Sequence, residues 1–375
     1  MRTRFFIFLV FLLRLTCCAQ DGLGYYHDPT NNFFVFDNGI EHRLEQDPVT
    51  GIISGIDWLA YTDYKQSFMY YYGGDKQLLE ENYPNKIMPT RPALVYKMQQ
   101  RLMICQKGEK KMIARNATMA DAADSIILWQ EWPSMNYMIY QDGVKSTMVT
   151  AINSSDMISD YQLGNNLVAY NDLNHNLKIW FKDSTYDTQT ARAASYACGH
   201  NVVAWVDQYK NTFNVFYNGE MKVVSTDIIK EYNVTNDMVT YIDDKDNFFV
   251  FYAGGVTKID SRKPNYYASK GNILYFSYND ANMKIVYQGH IYTQNLVDPA
   301  SIVISDNSLL FYSDINQPKF FYQGKVLDRF YVPKPYTMQL YNDLPVFFYA
   351  SNIAFLYSGK IAEYAIRRGT ATSGN

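Results

Sequence analysis

Asn201-Val202-Val203-Ala204-Trp205-Val206-Asp207, then Thr212-Phe213-Asn214-Val215-Phe216-Tyr217-Asn218-Gly219, then Met221-Lys222-Val223-Val224-Ser225 read as three short strands. Each run is rich in β-branched and aromatic residues and is bounded by Asn, Asp or Gly. A fourth run, Lys230-Glu231-Tyr232-Asn233-Val234-Thr235, leads into a fresh copy of the first two, Met238-Val239-Thr240-Tyr241-Ile242-Asp243 and Phe248-Phe249-Val250-Phe251-Tyr252-Ala253-Gly254. The unit is therefore about 35 residues long and holds four strands.

Moving outward, the same unit recurs as Leu59–Asp63 with Phe68–Gly73, as Leu167–Asp172 with Leu177–Phe181, and as Leu309–Asp314 with Phe320–Gly324. The glycine that closes its aromatic strand returns at Gly39, Gly73, Gly108, Gly143, Gly219, Gly254, Gly289, Gly324 and Gly359, with Asp183 in the one skipped slot. A glycine there permits positive φ at a tight hairpin. The Asp two residues after an aromatic ends a strand, where its carboxylate can bond the turn backbone. One such unit cannot bury enough surface to fold alone, so neighbouring copies must cover one another. Closing the row into a ring also removes its two exposed ends.

Nine full units start near Ile52, preceded by a half unit, Phe33–Gly39. This predicts an all-β fold, a β-propeller of about nine four-stranded repeats, with a blade number between about seven and ten. A β-solenoid of hairpins is the competing architecture. The unit resembles those of the TolB-like and WD40-like β-propeller families, in an apolar strand ending aromatic-x-Asp followed by an aromatic strand ending in Gly. The Ser-Pro-Asp-Gly turn of the first family and the Trp-Asp pair of the second do not recur. The resemblance implies a binding scaffold, with enzymes a minority.

The ends of the chain differ from its body. Residues 1–19 combine Arg2 and Arg4, the apolar run Phe5–Leu13 and a small residue at Ala19, which predicts a secretory signal peptide. The propeller is expected over 20–366 and a frayed tail over 367–375. Nine apolar residues are too short to cross a bilayer, so no transmembrane anchor is expected. Losing three Arg with the signal takes the net charge from −3 to about −6, and no polybasic run is evident, which argues against a nucleic-acid partner. Cys105 and Cys198 lie about three units apart, too far for a disulfide in a ring, and are expected as unpaired thiols.

Chemistry-bearing residues are few. The repeat over 125–165 is longer than its neighbours by about six residues, and the extra length is expected in the hairpin Glu131-Trp132-Pro133-Ser134-Met135-Asn136. An exposed Trp132 beside Pro133 would stack on a sugar ring or a peptide side chain. Of the five His, His175 falls in a hairpin turn and His200 just before a strand, either a satisfied turn residue or one lining a channel mouth. None has metal-ligand spacing, and no metal or cofactor is expected. The strand-end acids Asp63, Asp172, Asp207, Asp243 and Asp314 recur once per unit, which favours a structural role over a ring of catalytic or calcium-binding carboxylates. Tyrosine is abundant, 34 in 375 residues, and suits half-buried strand positions, while Tyr25-Tyr26 and Tyr70-Tyr71-Tyr72 also suit a recognition surface. Asn116, Asn153 and Asn233 head Asn-x-Ser/Thr triplets that decide nothing. The binding candidates are Trp132, Tyr137, His175 and His200. The expected role is a secreted, non-enzymatic scaffold holding an envelope protein or glycan in the periplasm or at the cell surface. A propeller hydrolase or lyase, or a structural subunit of an envelope assembly, are the alternatives.

Overall fold

A third-to-fourth-strand hairpin sets the geometry of every blade. Asn218 (φ 50°) and Gly219 (φ 95°) both lie in the left-handed region, the signature of a type I′ turn, whose twist matches that of the strands it joins. In blade 5 the second position is Asp183 (φ 58°), a residue type that tolerates this conformation. In blade 2 the turn pair is Gly73 (φ 56°) and Gly74 (φ 95°), so the periodic glycine is Gly74 and not Gly73.

The structure, a computed structural model, describes residues 22–366 apart from 152–156, 192, 194, 279–281, 296–298, 314–316, 329, 331, 333–336 and 350. The signal segment, the tail, Asn153 and Asp314 lie outside the described residues. Ten antiparallel sheets follow one another along the chain, each a simple meander. Blades 2 to 10 span 50–80, 86–114, 117–149, 158–191, 195–225, 229–260, 266–295, 303–327 and 337–365, and each has four strands. Blade 1, at 24–45, has three. Its hairpin at Asn38-Gly39 aligns them with the second, third and fourth strands of the others, so the expected half unit is a blade of its own.

First strands of successive blades touch one another and form the inner wall. Middle strands are sandwiched between neighbouring blades, which buries both of their faces. Leu167–Asp172 and Met238–Asp243 are buried at every position, hence their continuous apolar runs. Fourth strands form the rim, where Glu109–Ala114 and Gly255–Asp260 are mostly exposed. Lysines on these edges, such as Lys76, Lys110 and Lys222, discourage pairing with another chain.

Tyrosine binds blade to blade. The ring fills the interface while the hydroxyl donates to an acid of the preceding blade: Tyr61 to Glu45 (2.7 Å), Tyr71 to Asp37 (2.9 Å) and Tyr96 to Glu80 (2.9 Å). Tyr70 and Tyr71 are fully buried, and Tyr26 nearly so. Tyr25 stacks on Tyr341 at 4.6 Å. Blade 1 closes the ring by packing on blade 10, where Phe36 stacks on Phe355 at 4.8 Å. Gly24 is required there, because a methyl group would overlap the Phe355 ring.

The extra length of the fourth repeat is not in the Glu131–Asn136 hairpin. It falls between Val149, where one blade ends, and Ile158, where the next begins.

Candidate functional site

A meander puts two kinds of turn on each end of the ring. One end, the glycine face, carries the first-to-second turns and the I′ hairpins. The other, the crossover face, carries the second-to-third turns and the blade-to-blade links.

On the glycine face the inner turns are bonded into a circuit. Ile56 N donates to Arg91 O (2.9 Å), Ser125 N to Asn165 O (2.9 Å), Asn165 N to Gly199 O (3.0 Å), His200 N to Asn236 O (2.6 Å), Asn236 N to Gly271 O (3.1 Å) and Asn272 N to Asp306 O (2.7 Å). Side chains complete it: Arg91 N to Asp124 Oδ1 (2.9 Å), Asn307 N to Asp343 Oδ1 (3.1 Å) and Asn342 Nδ2 to Gly55 O (2.5 Å). Amides suit this work because each is both donor and acceptor. Asn236, Asn272, Asn307 and Asp343 are linked head to tail by their side chains. Arg91 of blade 3 reaches across the ring to Asp306 of blade 9 and to Asp343 of blade 10 (3.2 Å). Asp343 is fully buried and also accepts from Ser308 Oγ (2.8 Å).

His200 belongs to this circuit. It is half-buried, its ring lies 3.5 Å from the Asn166 amide, and its place is that of a satisfied turn residue at the channel end. His175 sits on the opposite face, exposed, at φ 63°, in the turn capped by Asp172.

Strand-end acids organise the second-to-third turns of the crossover face. Asp243 accepts from Lys245 N (2.9 Å), Asn247 N (2.8 Å) and Asn247 Nδ2 (2.6 Å), and Asp28, Asp63, Asp172 and Asp207 hold their turns in the same way. Burial alone would raise the Asp243 carboxyl, but bonds from Asn247 and Lys245 outweigh it and leave it below its ordinary value. These carboxylates are committed to structure. The two thiols are too: burial pushes Cys105 up to about 11 and Cys198 up to about 12, so neither is a thiolate at neutral pH.

One groove opens on this face, about 610 Å³ in volume, between blades 3 and 4. Arg115 and Asn116 line the blade 3 side, and Glu131, Trp132, Ser134 and Lys145 the blade 4 side. Trp132 N donates to Asn116 O (2.9 Å), which fixes the turn, while the indole is 54% exposed. The Trp132–Pro133 peptide is cis. Lys145 pairs with Glu131 at 2.7 Å and lies over the buried Trp129 ring. Arg115 is exposed and has no carboxylate partner among the described residues. The groove thus sets a flat apolar ring beside a guanidinium and amide and hydroxyl groups. Exposed Tyr64, Tyr83, Tyr209 and Tyr266 add aromatic area on the same face.

Of the four sequence candidates, Trp132 alone is in this groove. Tyr137 is corrected: it is 6% exposed, packed with Ile126, Leu128 and Ile139 against blade 5, and its hydroxyl lies 3.5 Å from Ile158 O. Its place on a middle strand is the reason, since neighbouring blades cover both faces and Met138, on the opposite face, is buried as well. Arg115 was not anticipated; its only signal is its place in the crossover next to Asn116.

No curated protein matches the sequence. Solved structures that resemble it include the CRINKLY WD40 ectodomain of the Arabidopsis thaliana receptor kinase ACR4, at 6% identity over 65% of this chain and 99% of that one, TM-score 0.32. Hsv2 of Kluyvelomyces marxianus is similar at 13% identity over 67% and 93%, TM-score 0.31. PorZ of Porphyromonas gingivalis, a surface component of the type-IX secretion system, is similar at 10% identity over 92% and 59%, TM-score 0.25. The family model of the 10-bladed beta propeller domain matches residues 17–276 and 244–363. Ten successive sheets agree with that match, and the chain belongs to the 10-bladed beta propeller family.

Proposed function

We propose that the protein is an exported, non-enzymatic propeller scaffold that holds a protein or glycan partner in the cell envelope, seated in the groove between blades 3 and 4. The observation that carries this reading is Trp132, a large aromatic left half-exposed at the mouth of a groove beside Arg115, which has no carboxylate partner among the described residues. Aromatic and Arg side chains are the usual anchors of recognition surfaces. The scaffold reading is further supported by the engagement of the recurring carboxylates in turn bonds and of the thiols in burial. Export rests on the basic and apolar residues of 1–19.

A photo-crosslinking residue placed at Ser134, and in a second variant at Lys182 on the glycine face, tests this in cells. An adduct from position 134 and none from 182 is expected. Adducts from both positions, or from neither, would sink the groove reading. A purified mature chain that turned over a substrate, and lost activity on one substitution, would sink the scaffold reading. Amino-terminal sequencing of the exported form should begin at Gln20.

A further inference from the structure

Among the described residues, blade 1 alone has no first strand, so the inner wall has a gap there. In blades 2, 5, 6 and 7 the residue before the turn Asp pairs with a first strand: Thr62 with Thr50, Asn171 with Asp160, Val206 with Ser195 and Ile242 with Glu231. The equivalent residue of blade 1 is His27, next to Asp28, and its described ladder partner is Phe33 on the outer side. A strand without an inner neighbour has to be held and covered by other means.

The two ends of the gap are closed differently. At the glycine end Tyr25 stacks on Tyr341 of blade 10, and Asn342 Nδ2 donates to Gly55 O, so blades 10 and 2 meet directly. Burial pushes both phenols above their ordinary value, and this contact carries no group that titrates near neutral pH. At the crossover end the Val49 N–H, at the entry to blade 2, donates to His27 Nε2 (3.3 Å). The half-buried His27 ring lies 5.1 Å from the Phe33 ring, and Val49 is buried.

A ring nitrogen accepts a hydrogen bond only while it is unprotonated. A proton on Nε2 would set two donors face to face and leave a buried amide without an acceptor. Burial favours the neutral ring and holds His27 below its ordinary value of 6.5, against the opposing pull of Asp28. The other charged groups on the elements around it are otherwise engaged or in solvent: Glu45 bonds Tyr61 and Lys76, Asp63 caps its own turn, Lys65 lies over the Tyr64 ring, and Asp47 of the crossover is exposed.

We infer that His27 is a proton-operated latch, which ties blade 1 to the entry of blade 2 while neutral and lets go of Val49 when charged, opening the crossover end of the gap. The latch is fully closed above 6.5, the value of a free imidazole, and weakens as the pH falls from there through the lower folded value. Acid thus loosens the ring at the blade with the fewest strands and leaves the glycine end shut.

Hydrogen exchange of the mature chain, followed by mass spectrometry between about pH 7.5 and about pH 5 and corrected for the intrinsic rate, tests it. Protection of the segment 46–54 should fall by up to about tenfold for each unit below 6.5 until the folded value is reached, while 226–234, the matching entry to blade 7, holds its protection. His27→Gln keeps an acceptor that does not titrate, and protection of 46–54 should then stay level across the range. His27→Leu removes the acceptor and should give low protection at every pH. Titration of the histidine rings by NMR should place the His27 midpoint below 6.5 in the folded wild type. A level wild-type profile overturns the inference, and so does an equal fall in His27→Gln. A fall shared by 46–54 and 226–234 also overturns it, because acid would then be loosening the whole ring. A midpoint at or above 6.5 overturns it as well, since the folded protein would then accommodate the charged ring.

Discussion

The glycine face and the crossover face are built from the same repeat and have opposite characters. On the glycine face the inner turns bond to one another around the ring, with Asn342 reaching Gly55 and Arg91 spanning to Asp343. On the crossover face Asp63, Asp172, Asp207 and Asp243 each satisfy the turn of their own blade. A face whose polar groups are spent on its neighbours is committed to holding the ring together. A face whose turns are self-contained is free to vary, and it is there that Trp132, Tyr209 and Arg115 stand in solvent.

The comparison breaks most easily at Gly199. A methyl group there would run into the backbone oxygens of Thr235 and Asn236, so Gly199→Ala is expected to cost more than about 4 kcal/mol in urea unfolding. A cost under about 1 kcal/mol would mean that the circuit is not structural. Arg91→Met leaves the buried Asp343 carboxylate unpaired and should cost about 3 kcal/mol; restoring most of that loss by adding Asp343→Asn would confirm the pairing.

Acid sharpens the other side. The Asp243 carboxyl is held below 3.8, so its contribution is complete above that value and is lost as the pH falls through the lower folded value. Wild-type protein should lose stability steeply between about pH 5 and pH 2, and Asp243→Asn should flatten that slope. An unchanged slope would remove the turn acids from the account. Tyr96→Phe, which deletes one blade-to-blade bond, should cost about 1 kcal/mol. Trp132→Ala is the smallest, within about 0.5 kcal/mol of wild type by thermal melt; a larger loss would make the indole a packing residue.

The repeat was legible because its constraints are local. A turn that needs positive φ selects Gly219, and a strand end that needs a turn acceptor selects Asp243, within one unit of sequence. Blade 2 blurred that signal because Gly73-Gly74 offers two glycines for one position. The exposure of Trp132 was legible from its turn, whereas Tyr137, five residues on, lies in a middle strand that neighbouring blades cover on both faces. Arg91 was illegible because its partners lie 215 and 252 residues away.

Blade 1 meets blade 10 through stacked rings, and among the described residues no sheet is pieced together from both ends of the chain. Rings that share a strand across their seam cannot lengthen without remaking that seam. Here duplication of a whole unit at any crossover adds a blade and leaves every existing sheet intact, so the number ten is a count that gene duplication can change one step at a time. For the same reason a circular permutant opened between Ser225 and Ile229 keeps all ten sheets whole.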